Sequence, residues 1–493
     1  MRISLNIRLI VGILSSISVI LGGTMLVGFI CSLIYSEPDM GRIFLTLTVV
    51  FVAAGGFIIR FSRRRQRQHM QTIKIREGIL SVTLCWVFTA ALCSLPYLLA
   101  GSHHSFIDAF FESTACITTT GSTLITDLAT LPKSLLFWRQ LTNWLGGLGI
   151  IIFAITIIPM LGFGATNLAN AEMMQTVEKL QARMSDTARY IFLFFLALTG
   201  AEVILLLIGG TGAYDAFVLS FACMGTGGFA NYSAGALLEG NLYVEAIVAI
   251  FCVIAVLSFV SYRVLLKGRI RDFFKEIEIR MYLLMIAVVC VLVFIILLAS
   301  GTYASAGEAA RNGIFQAIAF ATTAGYTGAD FDIWPQATHW LLIAVMIVGG
   351  CSGSTSGGIK VVRVAVALSL IRRNIYKRLH PNAVVAVKIG DRVIPTDRVS
   401  SIATFVILYF LIALLSCFIL SFENLDAETT LGTVIAMLSN TGLVIGPGHG
   451  INDSFVVFSQ FSRLYMSILM IAGRLELLTI VFLFSPAFWR SYR

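Results

Sequence analysis

Long apolar runs follow one another through this chain with only short polar breaks, and many exceed the ~18–20 residues a helix needs to cross a bilayer. Hydrocarbon cannot hydrogen-bond to a backbone, so such runs are confined to helices or closed barrels. Runs of this length predict helices, and the chain reads as an all-α polytopic membrane protein. Of its 493 residues, 58% are hydrophobic and 12% charged, against about a quarter charged in soluble domains. No polar segment is long enough to make a separate soluble domain. The first run, from Ile7 to Tyr35, follows Arg2 and Arg8. It is too long for the core of a signal peptide and reads as a retained helix.

The nine cysteines, at 31, 85, 93, 116, 223, 252, 290, 351 and 417, are scattered through apolar runs without a CxxC pair. They read as small buried hydrophobes rather than a disulfide or metal framework. The net charge of +9 is placed unevenly: 28 of the 35 Lys and Arg lie at the two termini and in segments 62–78, 160–190, 262–281 and 359–400. Segments 101–136, 212–245, 301–340 and 423–462 carry almost none. This asymmetry places both termini and the four basic segments in the cytoplasm. Gln66, Lys267 and Lys377 are then inside, and His103, Tyr232, Asp330 and His449 outside.

After two helices, near 7–35 and 41–61, a unit recurs four times: an outer helix, a short segment, a glycine turn and a returning helix. The outer helices fall near 78–100, 187–210, 278–300 and 398–422, and the returning ones near 135–160, 243–266, 338–370 and 462–486, ten spans in all. The turns are "TTTGS" (118–122), "GTGGF" (225–229), "TTAGY" (322–326) and "SNTGL" (439–443). One such turn is an ordinary polar loop. Four copies about a hundred residues apart mark a duplication. Thirteen residues before Gly121, Gly228, Gly325 and Gly442 stand Asp108, Asp215, Asn312 and Thr429. Each suits a helix N-cap, so every turn is expected to follow a capped half-helix of 9–11 residues. This gives divisions at 1–75, 76–175, 176–270, 271–378 and 379–493.

A half-helix entering from outside aims the negative end of its dipole at the membrane centre, which favours a cation. The strand that follows presents backbone carbonyls, tolerated at that depth only where protein or a water-filled path encloses them. Four such strands about one axis replace an ion's hydration shell. The expected filter is Thr119–Thr120–Gly121, Thr226–Gly227–Gly228, Thr323–Ala324–Gly325 and Asn440–Thr441–Gly442, with the carbonyls of the two residues before each glycine as the ligands.

These four turns, with "NWLGGLGI" (143–150), "GGCSGSTSGGIK" (349–360), "HPNAVVAVKIG" (380–390) and "GRLELLTIVFLF" (473–484), resemble the TrkH/KtrB/HKT superfamily of potassium transporters over essentially the whole chain. The two extra N-terminal helices make it most similar to the TrkH branch. The turns of the second and fourth repeats depart from TTxG. The resemblance implies a homodimer of separate pores, potassium as the transported ion with no organic cofactor on this chain, and a cytoplasmic nucleotide-binding TrkA-type partner. The ion to which a symporter of this kind is coupled stays open. In plant relatives a serine at the first filter glycine accompanies sodium permeation.

The glycine–serine stretch interrupts the third returning helix. The resemblance implies that Gly349, Gly350, Cys351, Ser352, Gly353, Ser354, Thr355, Ser356, Gly357, Gly358 and Lys360 form a loop that obstructs the pore and moves to open it. A plain kink or cytoplasmic linker is the bland alternative. A phosphate-binding loop fits worse, because Ile359 separates glycine from lysine. Arg474, expected near the middle of the last helix, faces either this loop or Glu476. Glu112 and Glu202 are buried acids, read as a filter brace or mouth charge and as a packing contact. A sodium-coupled KtrB-like subunit and a Kdp-type ion-conducting subunit remain as alternatives. A membrane enzyme is more distant, since it needs clustered His, Asp or Glu on the helices.

Overall fold

The computed structural model describes residues 7–66, 75–156, 177–229, 241–390, 392–446 and 455–489. The expectations for 67–74, 160–176, Tyr232 and His449 lie outside them. Helices α1 (Ile7–Ile34) and α2 (Pro38–Gln66) form an antiparallel hairpin. Its turn is tied to the rest of the protein by Glu37, whose carboxylate accepts from the amides of Lys133 (2.7 Å) and Ser134 (3.1 Å). Those amides are orphan donors at a helix start, which a carboxylate satisfies well.

Four repeats follow. The first has an outer helix α3 (Ile75–Cys93) continued by α4 (Leu95–Leu99), a pore helix α5 (Phe106–Ile117) and an inner helix α6 (Lys133–Thr156). The second has α7 (Val177–Ile208), α8 (Ala213–Gly225), α9 (Leu242–Val256) and a short α10 (Tyr262–Leu266). The third is led in by α11 (Ile270–Lys275) and built of α12 (Ile277–Ser300), α13 (Ala306–Ala321), α14 (Gln336–Val348) and α15 (Val361–Leu379). A two-residue antiparallel hairpin, β1 (Lys388–Ile389) with β2 (Arg392–Val393), leads into the fourth. That repeat has α16 (Thr396–Leu420), α17 (Ala427–Leu438), α18 (Gln460–Arg474) and α19 (Leu477–Phe484), then α20 (Pro486–Trp489).

Among the described residues six helices are long and apolar enough to cross a membrane: α1, α2, α3 with α4, α7, α12 and α16. Their large apolar side chains are widely exposed, as on Leu284, Val291, Leu414 and Phe418, because lipid rather than protein is their solvent. The pore helices are the reverse: from Ala109 to Ile117 every residue of α5 is buried.

Three expectations need correction. The pore helices run to 12, 13, 16 and 12 residues rather than 9–11. Their N-caps also lie earlier, by one turn in repeats one, two and four and by two turns in repeat three. Ser105 and Asp426 accept from the amides of Asp108 and Thr429, and Gly212 precedes α8 by the same offset from Asp215. Thus Asp108, Asp215 and Thr429 occupy the third helical position, where acids and small polar residues also gather. Asn312 lies inside α13, which Ser305 caps. Two inner helices also stop short: α9 ends at Val256, and α18 ends at Arg474, with α19 leaving at 115°. Arg474 is therefore at a helix end and not near a helix middle. The third inner helix is interrupted where the glycine–serine stretch predicts, between Val348 and Val361.

The repeats close into a ring. At each junction the start of one inner helix meets the start of the next pore helix. Tyr214 donates to the carbonyl of Lys133 (2.8 Å), Arg311 pairs with Glu245 (2.5 Å), His339 with Glu428 (2.9 Å), and Arg463 with Asp108 (2.5 Å). The last pair joins the fourth repeat to the first.

Candidate ion pathway

At the end of each pore helix the chain makes the same reversal. Thr119, Thr226, Thr323 and Asn440 have φ of 54°, 58°, 54° and 53°, and the glycines two residues on have φ of 90°, 55°, 70° and 77°. Left-handed backbone at a non-glycine residue costs of order 1 kcal/mol. Helix-ending hydrogen bonds offset it. The four left-handed residues donate to the carbonyl three back, at 2.9, 2.9, 3.1 and 3.4 Å, and the next residue donates to the carbonyl five back, at 2.8, 3.0, 3.0 and 2.9 Å. The divergent turns of repeats two and four thus share the backbone of the TTxG turns.

This pattern directs the carbonyls. In a planar trans peptide the C=O lies opposite the next N–H. With the N–H groups of Thr120, Gly227, Ala324 and Thr441 turned back onto their helices, the carbonyls of Thr119, Thr226, Thr323 and Asn440 point away from them. The following carbonyls meet the neighbouring strand. A Cβ on Gly121 would strike the carbonyl oxygen of Gly227, one on Gly228 that of Ala324, one on Gly325 that of Thr441, and one on Gly442 that of Thr120. The contacts run from repeat one through four and back to one, so the four strands surround a single axis at backbone contact.

Side chains brace this ring. In repeats one and four, Thr118 and Ser439 donate to the pore helix (2.6 and 2.7 Å) and bond Thr120 and Thr441, both at 2.8 Å. Asn440 donates to Thr120 Oγ1 (3.0 Å) and to the carbonyl of Met470 (2.9 Å). Glu112 is wholly buried. It accepts from the Leu124 amide (2.9 Å), from Thr123 Oγ1 (3.0 Å) and from Arg139 Nε (2.9 Å). It therefore holds the strand beyond the first filter turn rather than facing the mouth as a free charge. Gln316 makes the matching brace in repeat three, donating to the Tyr326 carbonyl (3.1 Å) and accepting from the Gly328 amide (3.1 Å). His103 lies 3.9 Å from Glu112; burial pushes its imidazole below the usual value, against the pull of Glu112.

The motif "NWLGGLGI" explains itself at the second turn. Asn143 donates to the carbonyls of Phe221 and Ala222, at 3.2 and 3.4 Å, and Gln140 to that of Phe229 at 3.0 Å. Gly146 lets α6 cross the end of α5, since a Cβ there would meet the Ile117 carbonyl. Gly473 does the same for α18 against Leu438. Gln140, Arg139 and Gln316 were not singled out from the sequence, and Asn143 stood out only as part of that motif. Glu112 and Gln316 carry a signal all the same, each standing nine residues before its filter glycine. Glu202 is wholly buried on α7, against Cys223 of α8.

The glycine–serine stretch lies under the ring. The Thr355 carbonyl accepts from Thr226 Oγ1 (3.1 Å) and from Arg474 Nη1 (2.6 Å). The hydroxyls of Ser356 and Thr323 are 2.9 Å apart, and the Gly357 amide donates to Thr323 Oγ1 (3.1 Å). A Cβ on Gly357 would meet the Ser439 carbonyl. The loop thus touches turns two, three and four, and Thr355 lies beside Gly147 of α6. Within the loop Lys360 Nζ donates to the Ser356 carbonyl. Glu476 pairs not with Arg474 but with Arg363 of α15, at 2.6 Å. Its φ of +60° makes the turn that ends α18.

Four half-helices ending on a closed ring of backbone carbonyls, inside a bundle of membrane-length helices, define a membrane protein that passes ions. The chain belongs to the TrkH family, described as cation transport proteins, whose pattern matches residues 46–491. It is similar to the Trk system potassium uptake protein TrkH of Salmonella typhimurium, 33% identical over 99% of this chain and 100% of that protein. It is also similar to the potassium uptake protein TrkG of Escherichia coli K12, 30% identical over 95% of this chain and 96% of that one. The crystal structure of the potassium transporter TrkH from Vibrio parahaemolyticus superposes with a TM-score of 0.88 at 30% identity, covering 98% of this chain and 100% of that one. The family is one of ion transporters and not of enzymes.

Proposed function

We propose that this chain carries potassium into the cell across the inner membrane, through the ring formed by residues 119–121, 226–228, 323–325 and 440–442. The carrying observation is the cyclic contact of each filter glycine with the carbonyl before the next one. A ring of that kind offers a dehydrated cation oxygen ligands from all sides. The loop 349–360, with Arg474, is the gate, because it lies in contact with three of the four turns. Both termini and the basic linkers face the cytoplasm. The protein works as a homodimer with a nucleotide-binding TrkA-type subunit on that face. In support, Arg263, Lys267, Arg269, Arg271, Lys275 and Arg280 are all exposed on one linker.

Expression in a bacterium lacking its potassium uptake systems tests this reading, at limiting potassium, with and without a TrkA-type subunit. Growth restored only with the partner is the expected result. Rb⁺ uptake into liposomes should then require an intact filter. Failure of the well-expressed protein to carry Rb⁺ overturns the assignment.

A further inference from the structure

The gate is held from its tip by Arg474, and a second hold lies at the opposite end of the same leg. The descending leg, residues 351–355, is collared by the segment that runs from the end of α9 to the start of α12. Thr355 Oγ1 donates to the Ala255 carbonyl (3.0 Å), the Cys351 amide to that of Val256 (3.2 Å), and the Phe259 amide to the Gly353 carbonyl (3.2 Å). The collar closes with Glu278, which begins α12 and accepts from the Ser352 amide at 2.5 Å. Of these four contacts only that of Glu278 is made by a carboxylate. A carboxylate on a backbone N–H forms a shorter and stronger bond than a neutral acceptor.

The collar is also continuous with the exposed basic linker. Tyr262 of α10 donates to the Ile254 carbonyl (2.7 Å) and its ring lies 5.4 Å from that of Phe273 in α11, which is buried. Two residues after α11, α12 begins. Arg269, Arg271 and Lys275 are thus joined through α11 to the start of α12 and Glu278, whereas Arg474 sits on a different repeat.

We propose that Glu278 is a positioning residue, a latch that keeps the base of loop 349–360 closed and through which the α10–α12 linker controls it. This rests on the reading of the loop as a gate. Losing a charge-assisted hydrogen bond is worth about a ten-fold change in the closed-to-open ratio. Glu278→Leu should then raise resting Rb⁺ flux through the full-length protein in liposomes by roughly ten-fold. Glu278→Gln, which still offers a carbonyl oxygen, should return most of that closure.

A residue that merely supports the fold would lower flux per folded protein in both variants, and that outcome overturns the latch. Arg474→Ala, measured alongside, separates the two readings. A rise with Arg474→Ala but none with Glu278→Leu removes the latch and leaves the gate. No rise with either removes the gate. If Glu278→Leu does not accumulate, the Glu278→Cys, Ser352→Cys chain decides. Oxidation should lower its flux and reductant should restore it, and flux indifferent to oxidation, with the cross-link verified, rejects the proposal.

Discussion

Arg474 Nη1 donates to the carbonyl oxygen of Thr355 at 2.6 Å, joining the end of the last inner helix to the tip of a loop that begins 125 residues earlier in another repeat. The guanidinium is buried, and its Nε and Nη2 have no hydrogen-bond partner among the described residues. It is thus a positive charge tethered by one strong bond to the loop. In the gate proposed above, the bond holds the loop and the charge opposes a cation in a region where water screens little.

Arg474→Ala removes both effects, so resting Rb⁺ flux should rise, by about ten-fold or more for the lost charge-assisted bond alone. Shortening 351–357 should act in the same direction. Either variant should also respond less to the cytoplasmic partner. Rb⁺ uptake normalised to protein in the membrane is the measurement, and a flux at or below that of the unaltered chain would contradict the gate.

Selectivity should be sensitive at each of the four glycines for one shared reason. Gly121→Ser adds a Cβ at φ +90° and drives it into the carbonyl of Gly227. The ring must then spread or tilt at one quarter of its circumference. Preference for K⁺ over Na⁺ should fall, and Gly442→Ser, which meets Thr120 in the same way, should do likewise. Competition of Na⁺ with Rb⁺ uptake reads this directly. Unchanged selectivity in a well-expressed Gly121→Ser protein would sink the role of residues 119–121.

The four glycine turns were legible in the sequence because glycine recurring about every hundred residues is what a repeated left-handed backbone demands. The left-handed backbone of Thr119, Thr226, Thr323 and Asn440 was not, since these residues take it only by virtue of hydrogen bonds to their own helix ends. Three N-caps fell one turn from Asp108, Asp215 and Thr429 because an acid or a small polar residue suits the third helical position as well as the cap. The break after Arg474 was hidden, since "GRLELL" is a good helical string. The turn at Glu476 depends on Arg363, 113 residues away. Glu278 gave no signal, because a carboxylate that accepts from a backbone amide leaves no partner side chain to be noticed.

The four junction contacts around the mouth differ in kind, which makes them separable. Arg463–Asp108 joins the last repeat to the first, with both side chains mostly buried at 14% and 15% exposure. Asp108→Ala leaves Arg463 without its carboxylate there and should lower the unfolding temperature of the protein in detergent. A loss of about 1–3 kcal/mol is expected, between that of an exposed and a fully buried pair. The reversed pair, Asp108→Arg with Arg463→Asp, should regain part of it. A reversed pair no better than either single change would show that the contact does not couple the repeats.

Glu112 and Gln316 hold equivalent filter strands, one charged and one neutral. Gln316 shows that the task, accepting from a strand amide, needs no charge. The charge at Glu112 instead matches Arg139, whose guanidinium also lies 3.9 Å over the ring of Phe229 in the second filter turn. Glu112→Gln therefore keeps the acceptor for Leu124 but removes the carboxylate that pairs with a buried guanidinium, a change that typically costs about 3 kcal/mol or more. Arg139→Met made together with Glu112→Gln removes that unbalanced charge and restores in repeat one the neutral brace of repeat three. Replacing a buried pair with neutral groups of similar size is often tolerated. The single variant should be strongly destabilised and poorly expressed, and the double variant should recover most of its stability and some Rb⁺ uptake. Thermal unfolding in detergent, read beside uptake, tests the cycle. If the double variant is as unstable as Glu112→Gln alone, Arg139 has a further role in holding Phe229 and the second filter strand, and the two braces are not equivalent.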